Sequence, residues 1–196
     1  MPLQEYPFSK RYGWIQDKFG VSWQLILVPN SVEQMIIPSF LFVGEKCGLA
    51  EEAIRFYASL FNKANVVNII HYEANSGPEE EGTVMFADLK LEGQLFAAMD
   101  SALEHNFTFN EAISFYVECE NQKEVDHFWE KLSAVPEAEQ CGWLKDKYGI
   151  SWQIIPKQLG EFLSDPDREK ADRAMQAMLQ MKKIDIAKLQ LVFDGG

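Results

Sequence analysis

A fifteen-residue segment occurs twice in this chain, 129 positions apart: residues 12–26 read YGWIQDKFGVSWQLI and residues 141–155 read CGWLKDKYGISWQII. The copies share Gly, Trp, Asp, Lys, Gly, Ser, Trp and Gln in one register, and Phe19 and Val21 are answered by Tyr148 and Ile150. A repeat this long marks a duplicated structural unit. The residues before Tyr12 are too few to hold a second copy of the segment 35–140. The expectation is therefore the tail of one module followed by a complete second one.

The bulk properties narrow the partners. The net charge is −12 with a pI near 4.7, so the basic patch that phosphate binding needs is absent from the sequence pattern, and neither nucleic acid nor an anionic membrane surface is expected. Cys47, Cys119 and Cys141 have no CxxC spacing and are too few for a disulfide scaffold. Met1 is followed by PLQEYPFSKR, which lacks the apolar stretch of a signal peptide. No run approaches the roughly 18 apolar residues of a membrane span. A soluble, cytoplasmic protein is expected.

Along the chain, 14–17 and 21–28 flank a Lys-Phe-Gly turn and read as a β-hairpin, with Pro29, Asn30 and Ser31 as a short linker. Residues 36–43 are a buried strand. Residues 49–61 place Ala53, Ile54, Tyr57, Leu60 and Phe61 on one helical stripe. Residues 64–72 are β-branched and strand-like, 73–82 form a loop, and 83–91 with 94–99 make a second hairpin. A loop with His105 and Asn110 leads to a strand over 113–119. A helix over 121–132 is capped by Asn121, with Glu124 at the capping-box position. Residues 140–144 and 150–155 close the series as a hairpin.

Residues 36–156 thus read β-α-β-β-β and then β-α followed by two clear strands with room for a third. Short helices follow, one of them starting at Asp165-Pro166-Asp167. The class is α+β, built from paired βαβββ units. The division is a remnant hairpin over 1–30, a complete module over 35–156 and a helical extension over 157–196.

Three words narrow this further: AEEAIRFYASLF after the first strand, FNEAISFYVEC before the second helix, and QCGWLKDKYGISWQIIP at the end. They resemble the PhnB-like family, labelled the 3-demethylubiquinone-9 3-methyltransferase domain, of the vicinal-oxygen-chelate superfamily of glyoxalase, bleomycin-resistance and extradiol dioxygenase proteins. MQAMLQMKKIDIAKL resembles the family's C-terminal tail.

The resemblance implies two activities that the residues can test. In the superfamily a divalent ion is held at four strand points, which fall here on Pro38, Ala98, Ala112 and Gln153. Pro and Ala carry no side-chain donor, and a Gln amide is a weak neutral one. His71, His105 and His127 have no second histidine or cysteine as partner at i+2 or i+4. No metal and no cofactor are expected. Methyl transfer, the second activity, commonly needs a glycine-rich loop for its cofactor. Gly44 and Gly48 follow a strand, but a helix-entry loop explains them equally well.

What the family's ligand points do imply is an inward set: Phe40 and Phe42, Phe96 and Asp100, Ser114 and Tyr116, with Ser151, Gln153 and Ile155. This describes an apolar aromatic pocket with a few polar groups, fit for a small-molecule ligand with aromatic compounds among the candidates. Asp100 is the one general-base candidate, against a purely structural use as a loop cap. The leading expectation is a metal-independent small-molecule-binding protein, its reaction left open. The alternatives are a metal-dependent lyase or dioxygenase, a methyltransferase, or a sequestering protein of the bleomycin-resistance kind. The first hairpin carries Trp14, Trp23, Leu25, Ile26 and Leu27, too much apolar surface for a free arm, so it is expected to dock on a sheet edge of its own module or of a second chain. A homodimer is expected.

Overall fold

A computed structural model of the chain describes residues 1–28 and 32–196. The linker expected at Pro29, Asn30 and Ser31 lies outside the described residues. The chain separates into two compact units, Met1–Ile37 and Pro38–Gly196.

The first unit is an antiparallel three-stranded sheet of β1 (Gln4–Tyr6), β2 (Ser9–Gln16) and β3 (Ser22–Ile26) in that order. The hairpin of β2 and β3 was legible from the repeated word. The short β1 was not, because three polar and aromatic residues give no alternation to read. Rings of Tyr6, Phe8 and Tyr12 pack together, with centroids 5.0–5.7 Å apart.

The second unit opens with β4 (Ser39–Val43), α1 (Ala50–Leu60), β5 (Ala64–His71), β6 (Val84–Leu91) and β7 (Gln94–Ser101). They form one sheet in the order β4-β7-β6-β5, with β4 and β7 parallel and the other neighbours antiparallel. Next come β8 (Ser114–Cys119), α2 (Gln122–Leu132), β9 (Trp143–Lys145) and β10 (Ser151–Pro156), whose sheet runs β8-β10-β9 with β8 and β10 parallel. Both sheets thus set their first strand beside their last. The two clear strands expected after the second helix are present, and the place left for a third is not a strand. Only two strands follow α2 among the described residues, because Pro136–Ala138 take a 3-10 turn where the first half has β5. Proline at the start of that turn removes the ladder donor a strand would need.

Asn121 caps α2 as expected, its side chain accepting from the N–H groups of Lys123 and Glu124. Glu124 reaches back one residue further than a capping box, to the N–H of Glu120 at 2.8 Å. Three helices complete the unit: α3 (Lys157–Leu163), α4 (Arg168–Met178), capped by Asp167, and α5 (Ile186–Phe193). They bury Leu159, Phe162, Ala174 and Leu189 against Ile155 of β10. Gln122 ties them to α2 by donating to the Ile184 carbonyl and accepting from the Ile186 N–H.

The helix-packed faces of both sheets merge into one aromatic core. Phe40 stacks on Phe96 at 5.8 Å, Phe96 meets Phe115 at 5.4 Å, Phe115 meets Trp152 at 5.4 Å, and Trp152 meets Tyr57 of α1 at 5.3 Å. Under this core lies the second copy of the repeated word. Asp146, 1% exposed, accepts four hydrogen bonds: from the N–H groups of Tyr148 and Ile150, from Trp152 Nε1 at 2.8 Å and from the Tyr57 hydroxyl at 2.7 Å. Burial, and then the neighbouring Asp146 charge, push the Tyr57 hydroxyl well above the ordinary tyrosine range, so it stays a donor.

Hydrogen bonds to a charged group contribute about 1.5–3 kcal/mol each, and orphaned buried donors cost comparably. Asp146→Ala should therefore lower stability in urea titration by more than about 3 kcal/mol, and Tyr57→Phe, which removes one donor alone, by about 1–2 kcal/mol. Equal losses for the two would mean that the carboxylate is not the hub.

Candidate functional site

Strand alternation decides where the expected pocket residues go. Phe40 pairs with Ala98 and Phe42 with Asp100 across β4 and β7, and Phe96 lies two residues from Ala98 on the same face. This is the face that α1 covers: Phe40 lies 5.8 Å from the Tyr57 ring, and Phe40, Phe42 and Phe96 are 2%, 0% and 8% exposed. The three phenylalanines are core and line no open cavity. On the second sheet Trp152 pairs with Phe115 in the core, so Ser114, Tyr116 and Gln153 take the opposite face, turned away from α2. Of the expected set, Gln153 and Ser114 come together, the amide Nε2 donating to the Ser114 hydroxyl at 2.8 Å, beside the exposed Tyr116. The single inward wall is therefore corrected to two groups on surfaces of opposite sense. An aromatic strand face packed by a helix and one open to a ligand have the same residue pattern, and parity alone cannot separate them.

Asp100 has a definite use. Its Oδ1 accepts from the N–H groups of Gly48 (2.7 Å) and Ala50 (3.2 Å), and its Oδ2 accepts from the Val84 N–H at 2.9 Å. The carboxylate caps the entry of α1 and pins β6 beside it, so its lone pairs point at backbone and not at a substrate. That is the structural reading of Asp100, and it replaces the picture of a base facing a cleft. Desolvation raises its carboxyl above the ordinary aspartate value in spite of the three N–H donors. The same donors at the start of α1 are the ones a bound anion would use.

A cavity of about 860 Å³ opens elsewhere in the second unit, where the parallel strands β4 and β7 end. Its walls come from the 3-10 turn Gly44–Lys46 after β4, from the loop after β7 with His105 and Phe107, and from Tyr148 and Gly149 in the β9–β10 turn. The side chains there are set by local bonds. His105 Nε2 lies 3.1 Å from the Ser101 hydroxyl, and its ring is 5.0 Å from Phe107. The Glu79 carboxylate accepts from the Ala102 N–H at 2.7 Å. Tyr148 donates its hydroxyl to Glu52 at 2.8 Å; burial first, and then that bond, raise its pKa to about 12.

Burial, followed by the charges of Asp100, Glu79 and Glu80, pushes the Cys47 thiol up, so it sits there as a neutral thiol and a poor nucleophile. The cavity therefore offers aromatic walls, hydroxyl and imidazole hydrogen-bonding groups and an acidic rim. Cys47 and Tyr148 were not singled out as site residues in the sequence. No periodicity marks them, because the pairing of β4 with β7 brings together the loops that follow those strands, and Tyr148 reaches them from the other sheet by packing on Phe42 and Tyr57.

The metal expected of the superfamily does not fit the residues present. Pro38, Ala98 and Ala112 have no donor, Ala98 is fully buried in the core, and the Gln153 amide is engaged with Ser114. Among the described residues no three His, Cys, Asp or Glu side chains converge.

A profile of the 3-demethylubiquinone-9 3-methyltransferase family matches residues 3–26 and 34–155. The chain belongs to that family. The 3-demethylubiquinone-9 3-methyltransferase family profile thus takes the first hairpin and the larger unit as separate matches, in line with the repeat. Among solved structures, a PhnB protein of Bacillus cereus is 42% identical, covering 63% of this chain and 99% of its own, with a TM-score of 0.55. The Pseudomonas aeruginosa protein PA1353 is similar in fold, with 16% identity over 63% of this chain and 98% of its own and a TM-score of 0.50. No curated protein matches the chain. The fold is the α+β arrangement of the glyoxalase and bleomycin-resistance type.

The two aspartates give opposite titrations. Asp17 is lowered, chiefly by the hydrogen bond from Trp23, and Asp100 is raised, chiefly by desolvation. In carboxyl-carbon NMR Asp100 should titrate above the ordinary aspartate value and Asp17 below it. Because the folded value of Asp100 is raised, its ionisation withdraws stability as pH climbs from the unfolded value through the folded one. Asp100 titrating below Asp17 would contradict the buried placement.

Proposed function

We propose that this protein is a small-molecule-binding member of the 3-demethylubiquinone-9 3-methyltransferase family, acting without a metal and taking its ligand in the cavity at the ends of β4 and β7. The observation that carries this reading is the cavity itself. Its volume of about 860 Å³ lies within the roughly 300–1,000 Å³ of small-molecule sites. Phe107, Phe109 and Tyr148 on its walls favour an aromatic or otherwise planar ligand, and His105 and Thr83 supply hydrogen bonds that would orient it.

Binding without chemistry is the version the residues favour. The Cys47 thiol is held protonated, and Asp100 is consumed by backbone donors. Gly44 and Gly48 serve the turn that leads into α1, with left-handed backbones (φ 55° and 88°), and the N–H groups of Gly48 and Ala50 are already taken by Asp100. These uses argue against reading the glycines as a cofactor loop. The absence of any helix long and apolar enough to cross a membrane among the described residues fits the cytoplasmic setting we propose. We also propose a homodimer, in keeping with the exposed Tyr116 on the open face of the second sheet.

Native mass spectrometry of gently purified, untagged protein, paired with a thermal-shift screen of aromatic compounds, tests the site. Ala102→Trp places an indole into the cavity from an exposed wall position and should abolish binding with little change in the melting temperature. Compounds that bind the variant as well as the wild type would move the site elsewhere. Stoichiometric, tightly bound zinc, nickel, manganese or iron would overturn the metal-free reading. Light scattering should give twice the 22.5 kDa chain mass.

A further inference from the structure

From Trp14 and Trp143 onward the two copies of the repeated word fold alike, although Cys141 and Gly142 take left-handed backbones where Tyr12 and Gly13 continue a strand. Asp17 Oδ1 accepts from the N–H groups of Phe19 and Val21, and its Oδ2 accepts from Trp23 Nε1 at 3.0 Å. Asp146 does the same with Tyr148, Ile150 and Trp152. Gly20 and Gly149 supply the same left-handed turn residue, at φ 89° and 94°. The ladders match pair for pair: Trp14 with Gln24 and Ile15 with Trp23 in the first copy, Trp143 with Gln153 and Leu144 with Trp152 in the second.

Their environments are opposite. In the second copy Leu144, Ile150, Trp152 and Ile154 are 1%, 3%, 1% and 0% exposed. The equivalent Ile15, Val21, Trp23 and Leu25 are 48%, 37%, 38% and 42% exposed. The second copy also shows what such a face binds. The stripe of α1 lies across it, setting the Tyr57 ring 5.3 Å and the Phe61 ring 6.4 Å from Trp152, and the Tyr57 hydroxyl completes the bonds to the aspartate. Asp17 holds its own hairpin with the same three donors and has no such fourth one among the described residues.

We propose that the face of the first hairpin carrying Ile15, Val21, Trp23 and Leu25 is a docking surface for the amphipathic helix of a related βα unit outside the described residues, which presents a tyrosine hydroxyl to Asp17 and an aromatic ring one turn further on. Among the described residues the helix that has that chemistry is not available for the role, in this copy or another: Tyr57 is fully buried and already bonded to Asp146. The fitting partner is thus a related βα unit whose own closing hairpin is missing or displaced. The surface selects it by shape, through the Trp23 indole, and by one charged acceptor. Apolar contact supplies adhesion, and the hydroxyl–carboxylate bond supplies register.

The probe is a synthetic peptide of residues 50–61 held helical by a side-chain crosslink between positions 51 and 55, which are neighbours on the outer surface of α1, where Arg55 pairs with Glu51. Titrated into the full-length protein and followed by NMR, it should bind saturably, with shifts confined to the first hairpin. Tyr57→Phe in the peptide and Asp17→Ala in the protein should each weaken it about tenfold or more. Leu25→Glu, which leaves the aspartate turn intact, should abolish binding while the hairpin resonances stay dispersed. Failure of the wild-type protein to bind the peptide, or binding indifferent to both Asp17→Ala and Leu25→Glu, overturns the proposal.

Discussion

A single carboxylate at 1% exposure organises the larger unit. Asp146 closes the β9–β10 turn through two backbone N–H groups, fixes the indole of Trp152 and receives the hydroxyl of Tyr57 from α1. An isolated buried charge is costly, and four donors are what make this one tolerable. The geometry also joins distant parts of the chain. Tyr57 and Asp146 are 89 positions apart, so the bond forms only when the first half's helix and the second half's hairpin are both in place. The file of rings from Phe40 to Trp152 then fills the space between the two sheets.

This arrangement limits where the ligand site we propose can lie. The helix-packed faces of both sheets are spent on the common core, and Asp100 spends its lone pairs on the entry of α1. Room remains where β4 and β7 end and the loops after them diverge. Loops held at the ends of paired strands are common places for binding residues, because the rigid ladder positions them while their own side chains stay free. Cys47 sits in the same place, where burial first, and then the neighbouring carboxylates, disfavour its thiolate.

The repeat carries a second lesson. The turn of the repeated word closes by its own hydrogen bonds, since the aspartate, the turn glycine and the tryptophan all lie within seven residues of one another. Local closure explains why the same conformation appears in a buried copy and in an exposed one. What differs between the copies is cover, and cover is a property of the rest of the molecule.

The chain's own residue order was enough for much of this protein. Alternation and helical stripes placed α1, α2, β5, β6 and β7 within one or two residues and β4 within three, Asn121 announced its cap, and the repeated word and family words announced the fold type. These are local signals, readable wherever neighbours along the chain share an element. Facing was not among them. Phe40, Phe42 and Phe96 have the pattern of a pocket wall and the pattern of a helix-packed core alike, and only the position of α1 relative to β4 and β7 separates the two. Asp100 is likewise an acid after a strand in the sequence, and a backbone cap once Gly48, Ala50 and Val84 are brought to it. The cavity was the least legible of all, since parallel pairing of β4 with β7 brings Cys47 near His105 and packing on Phe42 and Tyr57 brings Tyr148 from the other sheet, and both couple positions too far apart for any local periodicity to register.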